Sequence, residues 1–321
     1  MRATLLRLLA LLVSVSLFVA VVRYAGVGKM GEALWRIAAW LPLLALLEIA
    51  IIAFNALALR SLYRAAGADA PGRAFWRAVY LGNTFSVVLP AGRLMTETWK
   101  AVRLARYVTG PISAAGAVGC QAAVLLGNAL IAALTLTAVA LRCGMTWPTL
   151  AVALFAIGMI GMGGSVFLLG RAKLGRWLGA RMAMVQAHGP AFDEAFLKSS
   201  RALPVATFYE SCARLCQLTQ VAILLYADGQ TLGLIGTLAT YGLLLVGAAL
   251  GDLLPAQLGA TDAMLTIAGS HVGLAAAQAL AMTTCLHGAQ IGGALVGAAI
   301  AFVVPEQPGP ASADPDAKGT A

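Results

Sequence analysis

The 321 residues are 60% hydrophobic and 11% charged, with a mean hydropathy of +0.86, whereas soluble domains are about a quarter charged. This balance excludes a soluble globular fold and predicts an all-α, polytopic integral membrane bundle. The formal net charge of +9 is spread between apolar runs rather than along one basic face, which argues against nucleic acid as a partner and assigns the bases to loops beside anionic lipid.

Residues 5–22 form an apolar run between Arg2/Arg7 and Arg23, close to the ~20 residues needed to cross a bilayer. No small-residue cleavage site followed by a polar region is visible, so the run is expected to be an uncleaved first helix with a cytoplasmic N terminus. Residues 27–36, with Lys29, Glu32, Trp35 and Arg36, have the mixed character of an interfacial helix. Residues 37–59 form a second span with Glu48 and Asn55 on one face, and Arg60, Arg64, Arg73 and Arg77 against Asp69 then mark the cytoplasmic side.

Residues 78–91 are apolar but too few to cross, and both flanks are basic. That combination predicts a re-entrant element around Pro90 that returns to the same side. In the helix expected after it, Arg93, Glu97 and Lys100 fall at i, i+4 and i+7 and share one face, an acid between two bases. A helix starting just after Pro90 would also aim its free N–H groups at the broken segment, where an anion could sit.

Residues 114–141 span with Gln121 and Asn128 on one face, and residues 149–169, rich in glycine, return to the largest basic loop. There Arg171, Lys173, Arg176, Arg181, Lys198 and Arg201 face only Asp193 and Glu194. Residues 205–226 cross with Glu210 and Arg214 at i, i+4, the favourable order for a helical ion pair. Residues 232–250 return, residues 251–261 form a second broken element around Pro255, and residues 264–304 hold one long or two short apolar segments. The expectation is seven or eight spans in a membrane domain of residues 1–304, followed by a disordered polar tail, 305–321.

The two broken elements echo each other. Leu89-Pro90-Ala91 is matched by Leu254-Pro255-Ala256, each proline is preceded eight residues earlier by a glycine, Gly82 or Gly247, and each is followed by a threonine-acid pair, Thr96-Glu97 or Thr261-Asp262. Interrupted segments in corresponding halves point to structural repeats with a binding site at their interface. Glu97 and Asp262 are therefore expected to be pseudo-equivalent and close in space.

An ionisable group inside a span costs roughly 2.5–3.5 kcal/mol on insertion scales, so Glu48, Glu210 and Arg214 require partners or a wet cavity. Asn55, Gln121 and Asn128 fit interhelical hydrogen-bonding and cavity lining equally well. Cys120, Cys143, Cys212, Cys216 and Cys285 show no disulfide or zinc spacing, and His188, His271 and His287 are dispersed, so no metal or cofactor is expected and the histidines read as structural or surface residues. No nucleophile elbow or phosphate loop is present, which makes an enzyme the less favoured class.

At these residues the chain resembles the flippase-like membrane family that includes the transmembrane region of lysylphosphatidylglycerol synthases. Leu89, Pro90, Gly92, Glu97 and Lys100 fall on that family's LP-x-G-x-x-G-x-E-x-x-R motif, with Lys100 in place of its arginine and Met95 and Thr96 in place of family glycines. Leu254, Pro255, Gly259 and Asp262 fall on its second LP element, with aspartate for the usual glutamate, and His287 stands about where an arginine is often found. The resemblance implies translocation or handling of a phospholipid or lipid-linked anion, expected in a bacterial-type inner membrane; together with the spacing and membrane-depth readings above, it gives Arg93, Glu97, Lys100, Asp262, Glu210 and Arg214 as expected substrate-binding residues and Gly82, Pro90, Gly92, Gly247, Pro255 and Gly259 as structural ones. With only polar residues after Val304, it does not imply aminoacylation. The alternatives are a membrane-embedded transferase or accessory subunit of envelope-lipid metabolism, working with partner enzymes, and a scaffold.

Overall fold

The computed structural model describes residues 2–88, 92–181, 186–252, 254 and 257–305. Pro90, Pro255 and the tail expected from 306 onward lie outside the described residues. Within them the chain is helical: α1 Arg2–Ala25, α2 Val27–Ala38, α3 Leu41–Ala65, α4 Gly72–Val88, α5 Gly92–Val108, α6 Gly110–Cys143, α7 Trp147–Arg171, α8 Leu174–Gly179, α9 Gly189–Ser199, α10 Leu203–Ala227, α11 Gly233–Gly251, α12 Ala260–Val272 and α13 Ala276–Val303. Helices α3, α6, α7 and α10 each carry proline in their first turn, where its fixed φ fits a helix and its missing N–H removes no bond.

Five helices, α3, α6, α7, α11 and α13, are long and apolar enough to cross a membrane, and the pair α1/α2, bent by 94°, brings the number to six. Helix α10 has the length of a span, at 25 residues, but Glu210 and Arg214 interrupt its apolar character. The bend at Gly26, whose φ is +86°, turns α2 away from the direction of α1, as an interfacial helix requires. The apolar stretch left open between 264 and 304 resolves into a half-length helix, α12, and one full span, α13, separated by left-handed Gly273 (φ +92°).

The two ends of the bundle differ sharply. At one end Arg60 and Arg64 both bond Asp69, Arg77 donates to the carbonyl of Ala301, and the α8/α9 segment brings Arg171, Lys173, Arg176, Arg181, Lys198 and Arg201. At the other end Trp40 packs edge-on against Tyr226, and Arg36 bonds Asp228 at 2.7 Å. The side chain of Arg142 reaches Gly273 there.

Helices α4 and α5 run antiparallel as a hairpin rooted at the basic end. Gly82 faces Thr96 and Lys100, Thr96 Oγ1 donates to the carbonyl of Gly82 at 2.8 Å, and Phe85 meets Trp99 edge-on, with Arg103 stacked over the same indole. At 17 residues each, or about 25 Å, α4 and α5 need not cross. Helices α11 and α12 form a second hairpin, in which Gly247 faces Thr261 and Met264 near the turn while Leu232 and Gly273 meet at its root. Its root lies at the opposite end. The two hairpins thus enter from opposite ends, as the matched Gly…Thr spacing anticipates: Gly82 meets Thr96 and Gly247 meets Thr261.

Packing repeats the same relation. Helix α3 lies against α10, α4 packs on α13 as α11 packs on α6, and α5–α6 corresponds to α12–α13. The order α3–α4–α5–α6 is therefore related to α10–α11–α12–α13 by an inversion of direction in the membrane, the arrangement in which a site lies between repeats.

Two outcomes follow from this geometry. In a cysteine-free background, single cysteines replacing Arg73 and Arg106 should label from one face of the membrane, and cysteines replacing Met145 and Gly229 only from the other; labelling of 73 and 106 from different faces would break the first hairpin. A Cβ at Gly247 would lie 2.9 Å from Met264 Cβ and 3.0 Å from the backbone of Thr261, whereas at Gly82 it meets only side-chain atoms, the nearest Lys100 Cγ at 3.1 Å. Gly247→Ala should therefore destabilise by about 1–3 kcal/mol and more than Gly82→Ala, measured as the shift in thermal unfolding in detergent.

Candidate functional site

Where the inner parts of the two hairpins approach each other, the bundle holds a polar cavity of about 410 Å³, within the ~300–1,000 Å³ range of small-molecule sites. Hairpin one contributes Asn83, Ser86, Thr96, Glu97 and Lys100; hairpin two contributes Asp252, Gln257 and Thr261. The long helices close it with Glu48 and Asn55 from α3, Gln121 and Asn128 from α6, Glu210, Arg214 and Gln217 from α10, and Thr283, His287 and Gln290 from α13.

Lys100 is 4% exposed, and its Nζ sits 2.5 Å from Glu97 Oε1. A buried ammonium with no partner would be expensive, so this i, i+3 pair keeps a cation at membrane depth. The second oxygen of Glu97 has no hydrogen-bond partner. Arg93 lies in the first turn of α5, one turn before Glu97; its side chain is outside the described residues, so the expected acid between two bases is present here as Glu97–Lys100.

On α10, Glu210 is fully buried and Arg214 is 6% exposed, with Arg214 Nη2 3.8 Å from Glu210 Oε2. Arg214 Nη1 donates to Gln217 Oε1 at 2.6 Å, and the Tyr241 hydroxyl donates to the same oxygen at 3.0 Å. The helical spacing read from the sequence thus gives a pair supported by a third residue on α10 and a fourth on α11. Gly127 lets α6 pass close to this point, since a Cβ there would lie 3.0 Å from Glu210 Cβ. Glu48 is buried beside Gln220, whose amide bonds the Leu44 carbonyl at 2.9 Å, and α13 crosses it at Gly293, where a Cβ would fall 2.7 Å from Glu48 Cγ.

Asp262 departs from expectation. It is fully buried and does not line the cavity. One carboxylate oxygen accepts the Gly259 N–H at 2.8 Å, the other accepts the Thr283 hydroxyl, and His287 Nε2 lies 3.3 Å from the first. Short side chain and helix start explain this: aspartate at the third position of α12 folds back on the free N–H of Gly259. Gly259 has φ +88° and a Cβ there would strike Ser14 and Leu17 of α1, so the glycine is required for both conformation and space. The residue that reaches the cavity from this cluster is His287.

The histidine expectation is corrected as well: His287 is 6% exposed and sits in the cavity wall. Its signal was a stripe in an otherwise apolar helix, Thr283, His287 and Gln290 at i, i+4 and i+7, which spacing between histidines does not reveal. Asn55 and Asn128, left open as glue or lining, both line the cavity, and the side-chain oxygen of each is buried without a hydrogen-bond partner. Four carboxylates, Glu48, Glu97, Glu210 and Asp252, and two fixed cations, Lys100 and Arg214, stand among the described lining residues. The site is mixed in charge with acids in excess, and not simply basic. No group of three or more metal-ligating side chains occurs among the described residues.

Compared with known proteins, residues 7–297 match the family model described as the lysylphosphatidylglycerol synthase TM region. No curated protein and no solved structure matches the chain. The match puts the chain among multi-pass membrane proteins of lipid metabolism or handling.

Arg214→Met leaves Glu210 buried beside a group that can no longer compensate it and should cost about 3 kcal/mol, the low end of what breaking a buried pair costs because both residues border a cavity. Adding Glu210→Gln should restore a large part of that loss. Unfolding in detergent measures both; a double variant no more stable than Arg214→Met would show that the two charges do not act as a pair.

Proposed function

The chain belongs to the lysylphosphatidylglycerol synthase transmembrane-region family, and on that premise we propose that it translocates a phospholipid or lipid-linked anion across the inner membrane, taking the headgroup into the cavity between the hairpins. The observation that carries this reading is the cavity itself: charged side chains of both signs, enclosed at the depth of apolar helices, between two helical hairpins that enter from opposite ends. Buried charge of this kind is costly in hydrocarbon and marks substrate paths in transporters.

In this mechanism Lys100 binds the headgroup phosphate as a point charge, with Arg93 one turn away on the same helix, and Glu97 holds Lys100 in place while its free oxygen remains available to a donor on the substrate. Arg214 supplies the second cation. The excess of carboxylates suits a headgroup that brings donors or a cationic group along with its phosphate, because each such group would meet Glu48, Glu210 or Asp252. The acyl chains stay in lipid. Outside the α6–α10 contact, an apolar surface groove of Leu126, Leu130, Phe167, Leu203 and Phe208 offers one of them a track. The basic end, with Arg60, Arg64 and the α8/α9 bases, would face the cytoplasm by the positive-inside bias.

The test is a fluorescent-lipid translocation assay in proteoliposomes. Glu97→Gln and Lys100→Ala should each reduce the rate per folded, inserted molecule at least tenfold, and each should lower the unfolding temperature because it breaks a buried pair. Lys100→Arg should retain or raise it, since guanidinium binds phosphate through two parallel bonds. Parental rates in Glu97→Gln and Lys100→Ala together would overturn the proposed site.

A further inference from the structure

Of the polar groups around the cavity, His287 is the one whose two ring nitrogens do different things. Nε2 lies 3.3 Å from Asp262 Oδ2, and that carboxylate also accepts the Gly259 N–H and the Thr283 hydroxyl. With a backbone N–H and a hydroxyl already donating to it, the carboxylate is held ionised and can only accept, so Nε2 facing it carries its hydrogen. Nδ1 is then the basic nitrogen, and it is buried with no hydrogen-bond partner in a side chain that lines the cavity. An imidazole oriented by a carboxylate at one nitrogen, with the other buried and unpartnered in the wall of a polar cavity, is a proton acceptor in waiting.

We propose that His287 Nδ1 is a proton-binding site coupled to headgroup occupancy: a proton adds to the Nδ1 lone pair, the imidazolium is held by Asp262, and the charge change alters what the cavity accepts. The groups that face this event are Asp262 from α12, Glu48 from α3, Glu210 and Arg214 from α10, Glu97 and Lys100 from α5 and Asp252 at the end of α11. Helix α4 brings Asn83 and Ser86 but no ionisable group to the cavity, and Arg23, Lys29, Glu32 and Arg36 of α1 and α2 are exposed. A phosphate entering beside Lys100 and Arg214 brings negative charge that favours an imidazolium in the same cavity. Loading of an anionic headgroup and uptake of a proton then assist each other, and by linkage the assistance is reciprocal.

This inference rests on headgroup binding in the cavity, but its first test does not require transport. Imidazole-labelled protein in detergent carries three histidines, His188, His271 and His287; His287→Gln assigns one set of NMR signals. The assigned ring should show the Nε2–H form at high pH and gain its second proton at Nδ1 as the pH is lowered within the range over which the protein stays folded. Asp262→Asn should lower its midpoint by at least one pH unit, a tenfold loss of proton affinity. Thr283→Val, which frees the carboxylate from one donor, should raise the midpoint and serves if Asp262→Asn does not fold. A ring that fails to titrate in that range, or a midpoint unmoved by either variant, overturns the proton site. In lightly buffered detergent, adding phosphatidylglycerol micelles should then release a pH-dye signal of proton uptake that His287→Gln abolishes and His271→Gln leaves intact. A titrating ring with no lipid-linked uptake would keep the proton site and refute its coupling; failure of translocation with both signals present would refute transport alone.

Discussion

Hydrocarbon offers no hydrogen bonds, so every backbone group freed by a broken helix must find its partner within the protein. This constraint organises the molecule. At the tip of the second hairpin, among the described residues, freed groups are covered: Asp262 takes the free N–H of Gly259 and Ser14 of α1 donates to the carbonyl of Leu258 at 2.8 Å, beside a side-chain bond of 2.8 Å from Gln257 to Asp252. The long helices α3, α6, α10 and α13 pack against the hairpins, and the polar cavity lies where the inner parts of the two hairpins approach each other. Charged side chains tolerate that depth only because the space is polar and they are paired within it.

The inverted relation of the halves explains the packing but not the chemistry. Gly82 against Thr96 and Gly247 against Thr261 are corresponding contacts, closer in the second hairpin, where Gly247 meets the backbone of Thr261, than in the first, where Gly82 meets only side chains. The acids that follow the two threonines have diverged. Glu97, with its longer side chain and five residues into α5, extends to Lys100 and leaves an oxygen toward the cavity; Asp262, shorter and within the first turn of α12, is consumed by its own helix start and by Thr283 and His287. Each half nonetheless delivers a fixed cation to the cavity, Lys100 from the first and Arg214 from the second, and the second adds His287, which contacts Asp262. A repeat conserves geometry more readily than it conserves function, since one methylene decides which neighbour a carboxylate can reach.

Much of the architecture was legible because hydropathy and proline placement act locally. The short apolar run with basic flanks and the paired broken elements follow from length and charge and reappear in α4/α5 and α11/α12, while residues 27–36 form a separate helix, α2, bent from α1. The pairs Glu97–Lys100 and Glu210–Arg214 were readable for the same reason, being separated by one helical turn. What the sequence concealed was long-range: that Glu48 would lie against Gly293, that Gln217 would be shared by Arg214 and Tyr241, and that Asp262 would turn inward to His287, 25 positions away. Those contacts depend on which helix faces which, and the periodicity of any one helix is silent about its neighbour.

The distribution of charge bears on how such a cavity could serve transport at all. Were it lined only by bases, an anionic headgroup would bind and be held; were it lined only by acids, none would enter. Lys100 and Arg214 are each tethered to a carboxylate on their own helix, so a phosphate that binds them must compete with Glu97 and Glu210, which weakens its hold and gives each cation a partner to return to when the ligand leaves. The empty and occupied states then both keep their charges compensated, and neither pays the full cost of an isolated ion in a low-dielectric interior. Binding at membrane depth without trapping requires that near-balance, and the internal pairs on α5 and α10 are the physical means by which this fold attains it.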